Sequence, residues 1–308
     1  MRTNFLKNLT EGALAEFAGT ESQKLRRIRL AMPRQFAVVG AMEVLRCSAL
    51  GRKPKEGCRG LRIIEPTGAG KSETAIRMVS FVSEQPGRDP MLKPVHHVTL
   101  DALGTPKSAI ASCLMQFEAG YSTQGSERDL LDRLKTALDE FQVELMIIDE
   151  LNHCANKTLG RDVSNIFKNI LTAGWVPICF LGTDDAKTLF AGNKELRTRC
   201  RLNPGLRPFD PKADIEEWAA FATGMDEEMF RLGIITRTIG LDDAKLAQDL
   251  CIACAGSIGE LVNILEDALL LALRERGRVV GIPHLVHAAE MRCVLDGDFE
   301  INPLADWA

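Results

Sequence analysis

The chain is short of aromatic residues, 6% in all with a single tyrosine, so its core must be built from aliphatic side chains. It has no apolar run approaching the roughly 20 residues of a membrane-spanning helix, and no membrane partner is expected. Its first residues, Met1-Arg2-Thr3-Asn4-Phe5-Leu6, lack the long apolar region of a secretory signal. A cytoplasmic location is the expectation. The nine cysteines form no paired framework, and a reducing compartment leaves them as free thiols. Cys251 and Cys254 match C-x-x-C, but no second pair follows. At helical spacing they read as two small buried thiols rather than a zinc or redox site. His284 and His287 lack neighbouring cysteine or acidic ligands and read as ordinary helix residues. There is no internal repeat and no low-complexity tract.

An excess of positive charge is missing too. The net charge is −4, so the molecule as a whole does not advertise nucleic-acid binding. The distribution is uneven. Lys24–Arg29, Arg52–Lys55 and Lys194–Arg207 are basic, whereas Asp214–Glu217 and Asp226–Glu228 are acidic. Local basic patches can bind phosphate backbones on an acidic protein. Solvated helix faces account for any single run equally well.

Glu65 to Ser72 read E-P-T-G-A-G-K-S. They follow a short apolar stretch, Leu61–Ile64, and open an amphipathic one, Thr74–Val82. Strand, glycine-rich turn and helix make an anion site from backbone N–H groups and a helix N-terminus. Pro66, Thr67, Gly68, Ala69, Gly70, Lys71, Ser72 and Glu73 form the nucleotide-binding set. Lys71 would reach the β- and γ-phosphates, and the Ser72 hydroxyl would hold Mg²⁺. A second apolar run ends M-I-I-D-E at Met146–Glu150. Asp149 is the second metal residue, and Glu150 can polarise an attacking water. ATP and Mg²⁺ are the expected ligands. One position departs from G-x-x-x-x-G-K-[ST], because Glu65 stands at the first glycine. A carboxylate aimed at the nucleotide would repel it by roughly 2 kcal/mol at partial screening. The expectation is that Glu65 points outward and that nucleotide still binds.

Residues 1–50 read as a helical segment broken at Pro33. Strands follow at 61–64, 95–100, 143–148 and 176–181. Helices occupy 72–83, a stretch capped by Thr105 with Pro106 at its first position, a stretch from Ser126 to Phe141, and 161–171. Alternating strands and helices imply an open parallel sheet with helices on both faces, its ligands at the carboxyl ends of the strands. Beyond Pro211 only helices are expected, at 215–221, 242–254, 258–273 and 283–295. The domain reading is therefore a 1–50 helical segment, a 51–210 nucleotide-binding domain, a 211–295 helical lid, and an extended tail at 296–308. The tail carries Phe299, Ile301, Leu304 and Trp307, which could dock on a partner or on the protein's own surface.

A parallel-sheet ATPase followed by a helical lid resembles the AAA+ class, and within it the TniB/TnsC group of transposition ATPases. The resemblance runs from about Met32 to Pro303. It rests on P-T-G-A-G-K-S, I-I-D-E-L-N-H (147–153), V-P-I-C-F-L-G-T (176–183), E-L-R-T-R-C (195–200) and G-S-I-G-E-L (256–261). It implies that Thr183 is a polar sensor and that Arg199, or next best Arg197, reaches the γ-phosphate of a neighbouring subunit. Gly259 and Glu260 stand where many AAA+ lids place a second arginine, which implies weak or partner-stimulated hydrolysis. Lys107 and then Arg128 are the implied phosphate contacts to duplex DNA. The implied partners are a homo-oligomeric ring or helical filament, a transposase met by the tail, and a target-selection protein. Two rivals stay open. One is a helicase-loader-like motor without a transposase partner. The other is a scaffold that holds nucleotide as a switch without turning it over.

Overall fold

The computed structural model describes residues 5–51, 56–117, 120–155, 160–294, 297 and 299–307. In chain order it begins with α1 (Glu11–Arg26) and α2 (Pro33–Cys47). Next come β1 (Gly60–Ile64), α3 (Lys71–Ser83), β2 (Val95–Thr99), α4 (Pro106–Met115) and α5 (Glu127–Glu140). After these are β3 (Leu145–Asp149), α6 (Gly160–Ala173), β4 (Ile178–Gly182), α7 (Lys187–Gly192), α8 (Lys194–Arg199) and β5 (Cys200–Leu202). The chain closes with α9 (Ile215–Arg231), α10 (Ala244–Ala253), α11 (Ile258–Arg274) and α12 (Ile282–Ala289). The chain divides into two compact units. One comprises Pro33–Arg207, and the other joins Met1–Met32 to Pro208–Ala308.

The first unit is the α/β one. Its five strands are all parallel, in the order β2-β3-β4-β1-β5. Strand side chains alternate between faces with period two, and this sheet is apolar on both. Ile64, Met146, Ile148, Ile178 and Phe180 pack into one core with Ile110, Leu134 and Phe167. Leu61, Ile63, Leu145, Ile147 and Leu181 pack into another with Met42 and Met78. Helices on both faces explain why β3 and β4 read as unbroken apolar runs. β5 was not expected from the sequence. It is three residues long, and only Cys200 of the three is buried. With Arg201 and Leu202 exposed, it carries no apolar signal of its own.

The second unit is helical. Trp218 is its largest fully buried side chain, set edge-on to Phe209 with its Nε1–H donated to the Ala247 carbonyl at 2.8 Å. The first glycine of G-S-I-G is a packing requirement there. Gly256 has φ +70°, and a Cβ on it would lie 2.1 Å from the Phe209 carbonyl oxygen. Ser257 then caps α11.

The expected 1–50 segment is divided at Pro33. Val38, Val39, Met42 and Leu45 of α2 join the sheet core, whereas Leu14 and Leu25 of α1 join the helical core. The expected last helix is shorter than 283–295. α12 stops at Ala289 and passes into a wider π-type turn, Glu290–Val294, and residues 295 and 296 lie outside the described ones. The tail departs from the extended form. Leu304 is fully buried in the helical core. Asn302 donates to the Val286 carbonyl at 2.9 Å, and Trp307 donates to Asp249 at 2.9 Å inside a short 3-10 turn. Each indole or amide finds a partner on α10 or α12, so ordering the tail also satisfies its polar groups. Ile301 stays 75% exposed.

Candidate nucleotide site

The site lies at the carboxyl ends of β1, β3 and β4. Gly68 and Gly70 take φ +79° and +80°, the left-handed region open to glycine. That conformation lets the loop turn into α3. Lys71 opens the helix and is nearly buried. Its Nζ donates to the carbonyls of Glu65 and Pro66, both at 2.7 Å. Burial pushes the Lys71 ammonium below its ordinary pKa, and Asp149, Glu150 and Glu65 oppose that shift.

Glu65 does not point outward. It is 7% exposed. The β1–β4 pairing runs one residue beyond β1, with Glu65 N–H donated to the Gly182 carbonyl at 3.0 Å. Sheet geometry, not loop freedom, therefore sets its direction. Burial raises the carboxyl's pKa, and the opposing influence of Lys71 is the largest of those that lower it. Asp184 and Lys187, which follow β4, and Arg207 also act on it.

Asp149, at the end of β3, is 2% exposed. Burial alone would raise its pKa. Polar contacts from His97 and Ser72 and the N–H of Glu150 outweigh burial and hold the group below the usual carboxylate range. His97 Nε2 is 3.4 Å from Asp149 Oδ2. An ionised carboxylate touching the Ser72 hydroxyl suits Mg²⁺, which takes few protein oxygens and completes its shell with water and substrate phosphates. Among the described residues no cluster of three or more His, Cys, Asp or Glu offers an all-protein cage.

Glu150 is held at φ 55°, a left-handed conformation for a residue with a Cβ. Asn152 Nδ2 donates to Glu150 Oε2 at 3.1 Å, and His153 Nε2 lies 3.9 Å from the same oxygen. Asn152 Oδ1 accepts the Thr183 N–H at 3.4 Å. Glu150 and Thr183 are thereby joined through one amide.

A model of the family described as "Bacterial TniB protein" matches residues 31–204, more than half of the chain. The chain belongs to the TniB family. No curated protein matches it. Solved structures similar to this TniB chain include the ORC2 protein of Aeropyrum pernix in its ADPNP–ADP complexes, at 16% identity and TM-score 0.56, with 82% of this chain and 67% of that one covered. Cdc6p from Pyrobaculum aerophilum is similar at 11% identity and TM-score 0.60, covering 86% and 68%. Drosophila ORC bound to DNA is similar at 12% and 0.54, covering 91% and 66%. At such identities the likeness is one of fold. The TniB chain has the P-loop AAA+ architecture, a parallel sheet with helices and a helical C-terminal region.

The remaining expected residues sit apart from this cluster or at its rim. Pro66, Thr67 and Ser72 are exposed, and Gly68, Ala69 and Gly70 are half-buried. Glu73 Oε1 lies 3.5 Å from Arg77 Nε, one turn along α3. Arg197 is exposed and Arg199 half-buried, both in the last turn of α8. Arg199, Arg59 and Arg201 line a cavity of about 810 Å³ along edge strand β5. Arg199 and Arg59 also line a cavity of about 700 Å³ beside Lys194. No residue of the Glu65–Ser72 loop lines either. Lys107 and Arg128 are exposed, in the first turns of α4 and α5. Sequence reasoning assigned no role to Asn152 or His97. Asn152 did stand inside I-I-D-E-L-N-H, two places after Glu150. His97 stands in β2 beside His96, with nothing local to mark it.

Proposed function

We propose that this TniB protein is an ATP-hydrolysing, DNA-associated regulator of transposition that links target DNA, and a target selector, to a transposase. The observation that carries the reading is the convergence of Lys71 and Ser72 after β1 with Asp149 and Glu150 at the end of β3, the two strands that flank β4. Similar folds described as ADPNP–ADP complexes and as bound to DNA support it at the level of ligand class.

In this reading Lys71 leaves the loop carbonyls and pairs with the triphosphate, whose charge replaces the carbonyl dipoles. The loop's N–H groups cradle the phosphates. Ser72 and Asp149 hold Mg²⁺, which neutralises phosphate charge when bound. Glu150 orients the attacking water and Thr183 senses the γ-phosphate. Arg199, with Arg197 as the alternative, lies off its own loop and serves the nucleotide of the next copy, which makes oligomerisation part of the chemistry. Lys107 and Arg128 contact the duplex backbone and position it without reading sequence. With Leu304 and Trp307 engaged at home, Ile301 is the tail's free apolar residue for a transposase.

Phosphate release with duplex DNA present tests this. Glu150→Gln is expected to lower the rate about a hundredfold or more while ATP still stabilises the fold. Arg199→Ala and Lys71→Ala chains, each inactive alone, should regain activity when mixed. Equal release by wild type and Glu150→Gln sinks hydrolysis and leaves the second reading, a nucleotide-switched scaffold. The buried Glu65 carboxylate beside Lys71 is what favours that alternative.

A further inference from the structure

The geometry points to Asn152 as the positioning residue for hydrolysis: its side-chain amide fixes the Glu150 carboxylate against the end of β4, so that base and sensor are set as one piece. This rests on the reading of Glu150 as the residue that orients water. The β3 strand ends at Asp149, and Glu150 turns sharply at φ 55° into the short 3-10 turn Leu151–Cys154. A left-handed, non-glycine residue is strained and persists only where its surroundings over-determine it.

Those surroundings are unusually close. A Cβ on Gly182 would meet Ala186 Cβ at 2.8 Å and Leu151 Cβ at 3.3 Å. The turn after β3 and the turn after β4 therefore pack against each other through a bare glycine. Asn152 occupies that seam. Its oxygen accepts from the Thr183 backbone and its nitrogen donates to Glu150 Oε2. Glu150 is otherwise half-exposed, with a side chain 40% accessible. An exposed carboxylate samples several rotamers, and the Asn152 donor at 3.1 Å, nearer than His153 Nε2 at 3.9 Å, selects among them. Asn is suited to this because it carries donor and acceptor on one rigid plane. Movement of the Thr183 backbone would then be felt at Glu150 without any group between them except this amide.

Asn152→Asp separates positioning from plain structural support. Aspartate keeps the oxygen that accepts from Thr183 and loses the donor to Glu150. Steady-state ATP hydrolysis is measured on the full chain with duplex DNA, for wild type, Asn152→Asp, Asn152→Ala and Glu150→Gln. Melting with and without ATP checks that each variant folds and binds. The expected result is a fall in kcat of about tenfold or more for both Asn152 variants, with KM for ATP within about twofold and the ATP-induced melting shift retained. Wild-type kcat in Asn152→Asp overturns the inference, and so does a loss that appears chiefly in KM. Glu150→Gln keeps the outcomes apart. If it abolishes turnover while Asn152→Asp does not change it, only this inference fails. If Glu150→Gln itself turns over like wild type, the hydrolytic reading has failed and this one with it.

Discussion

Buried charge is handled in opposite ways by the helical core and by the pair Lys71 and Glu65 of the phosphate loop. In the helical unit, Glu266 on α11 accepts from Arg26 and from Ser22. Burial would raise its pKa, yet those partners win and hold it below the usual range. Asp226 is 3% exposed and accepts from the N–H groups of Ile239, Gly240 and Leu241 at 2.8–3.2 Å. These charges are matched inside the fold. In the phosphate loop the balance is reversed. Burial lowers Lys71 and raises Glu65, so both are driven toward neutrality. A fold keeps such incompletely compensated charge where a ligand supplies the rest. A buried carboxylate is therefore not by itself a sign of function; Asp149 is compensated by its neighbours and Glu65 is not, though both stand at the same strand ends.

Removing a strut should cost the most. Asp226→Ala leaves the N–H groups of Ile239, Gly240 and Leu241 without their buried acceptor. We expect a loss of about 4 kcal/mol, seen as a lowered denaturant midpoint. Asp226→Asn keeps one acceptor oxygen and should lose roughly half as much by the same reasoning. Folded Asp226→Asn should bind nucleotide with unchanged affinity. A large drop in affinity would undo the comparison, because it would make a structural carboxylate part of the site.

Changing the loop charge should do the converse. Lys71→Met removes two bonds to loop carbonyls and a desolvated ammonium together, so stability without nucleotide should stay within about 1 kcal/mol of wild type. Nucleotide affinity should fall about a hundredfold, roughly 2.7 kcal/mol, read as loss of the ATP-induced melting shift. Strong destabilisation with binding retained would show Lys71 to be a strut after all.

How much of this was legible depended on how loudly each residue repeats its role. β3 and β4 announce themselves because both faces of the sheet are covered, and each contributes several apolar residues in a row, whereas β1 is interrupted by Arg62 and is marked by the glycine loop that follows it. The phosphate loop announces itself because its glycines are tied to left-handed φ values. β5 is silent, since an edge strand with Arg201 and Leu202 exposed has no pattern to show. Glu65 misled for a different reason. Charge argued for solvent, but the bond from its N–H to the Gly182 carbonyl fixes its place, and backbone pairing between strands distant in sequence leaves no local trace. The tail failed as an extended segment because the partners of Asn302 and Trp307 lie far along the chain on α12 and α10. Asn152 was visible as a letter, but its contact with Thr183 spans two strands. Local geometry is written locally, whereas compensation of charge is a property of what the fold brings alongside.

His96 offers the smallest and sharpest test, because it is a neutral strut within the unit that holds the site. Its ring is fully buried, stacks on Phe117 with centroids 3.8 Å apart, and its Nε2 lies 2.8 Å from the Cys113 carbonyl. Its Nδ1 has no partner among the described residues. Burial pushes its pKa down to about 3, against roughly 6.5 in an unfolded chain. The sign follows from proton counting. Above about pH 6.5 neither state is protonated at His96 and the residue adds no pH dependence. Below it the unfolded chain takes up a proton that the fold refuses, so stability falls, by about 2 kcal/mol at pH 5 from this group alone. His96→Phe cannot titrate and keeps the stacking face. Its stability should therefore decline between pH 7 and pH 5 by about 2 kcal/mol less than that of wild type, even though losing the bond to Cys113 lowers its starting value. Parallel curves for the two proteins would mean that the His96 ring takes up its proton in the fold as readily as in the unfolded chain, and the contrast between matched and unmatched burial would then have to be redrawn within the sheet itself.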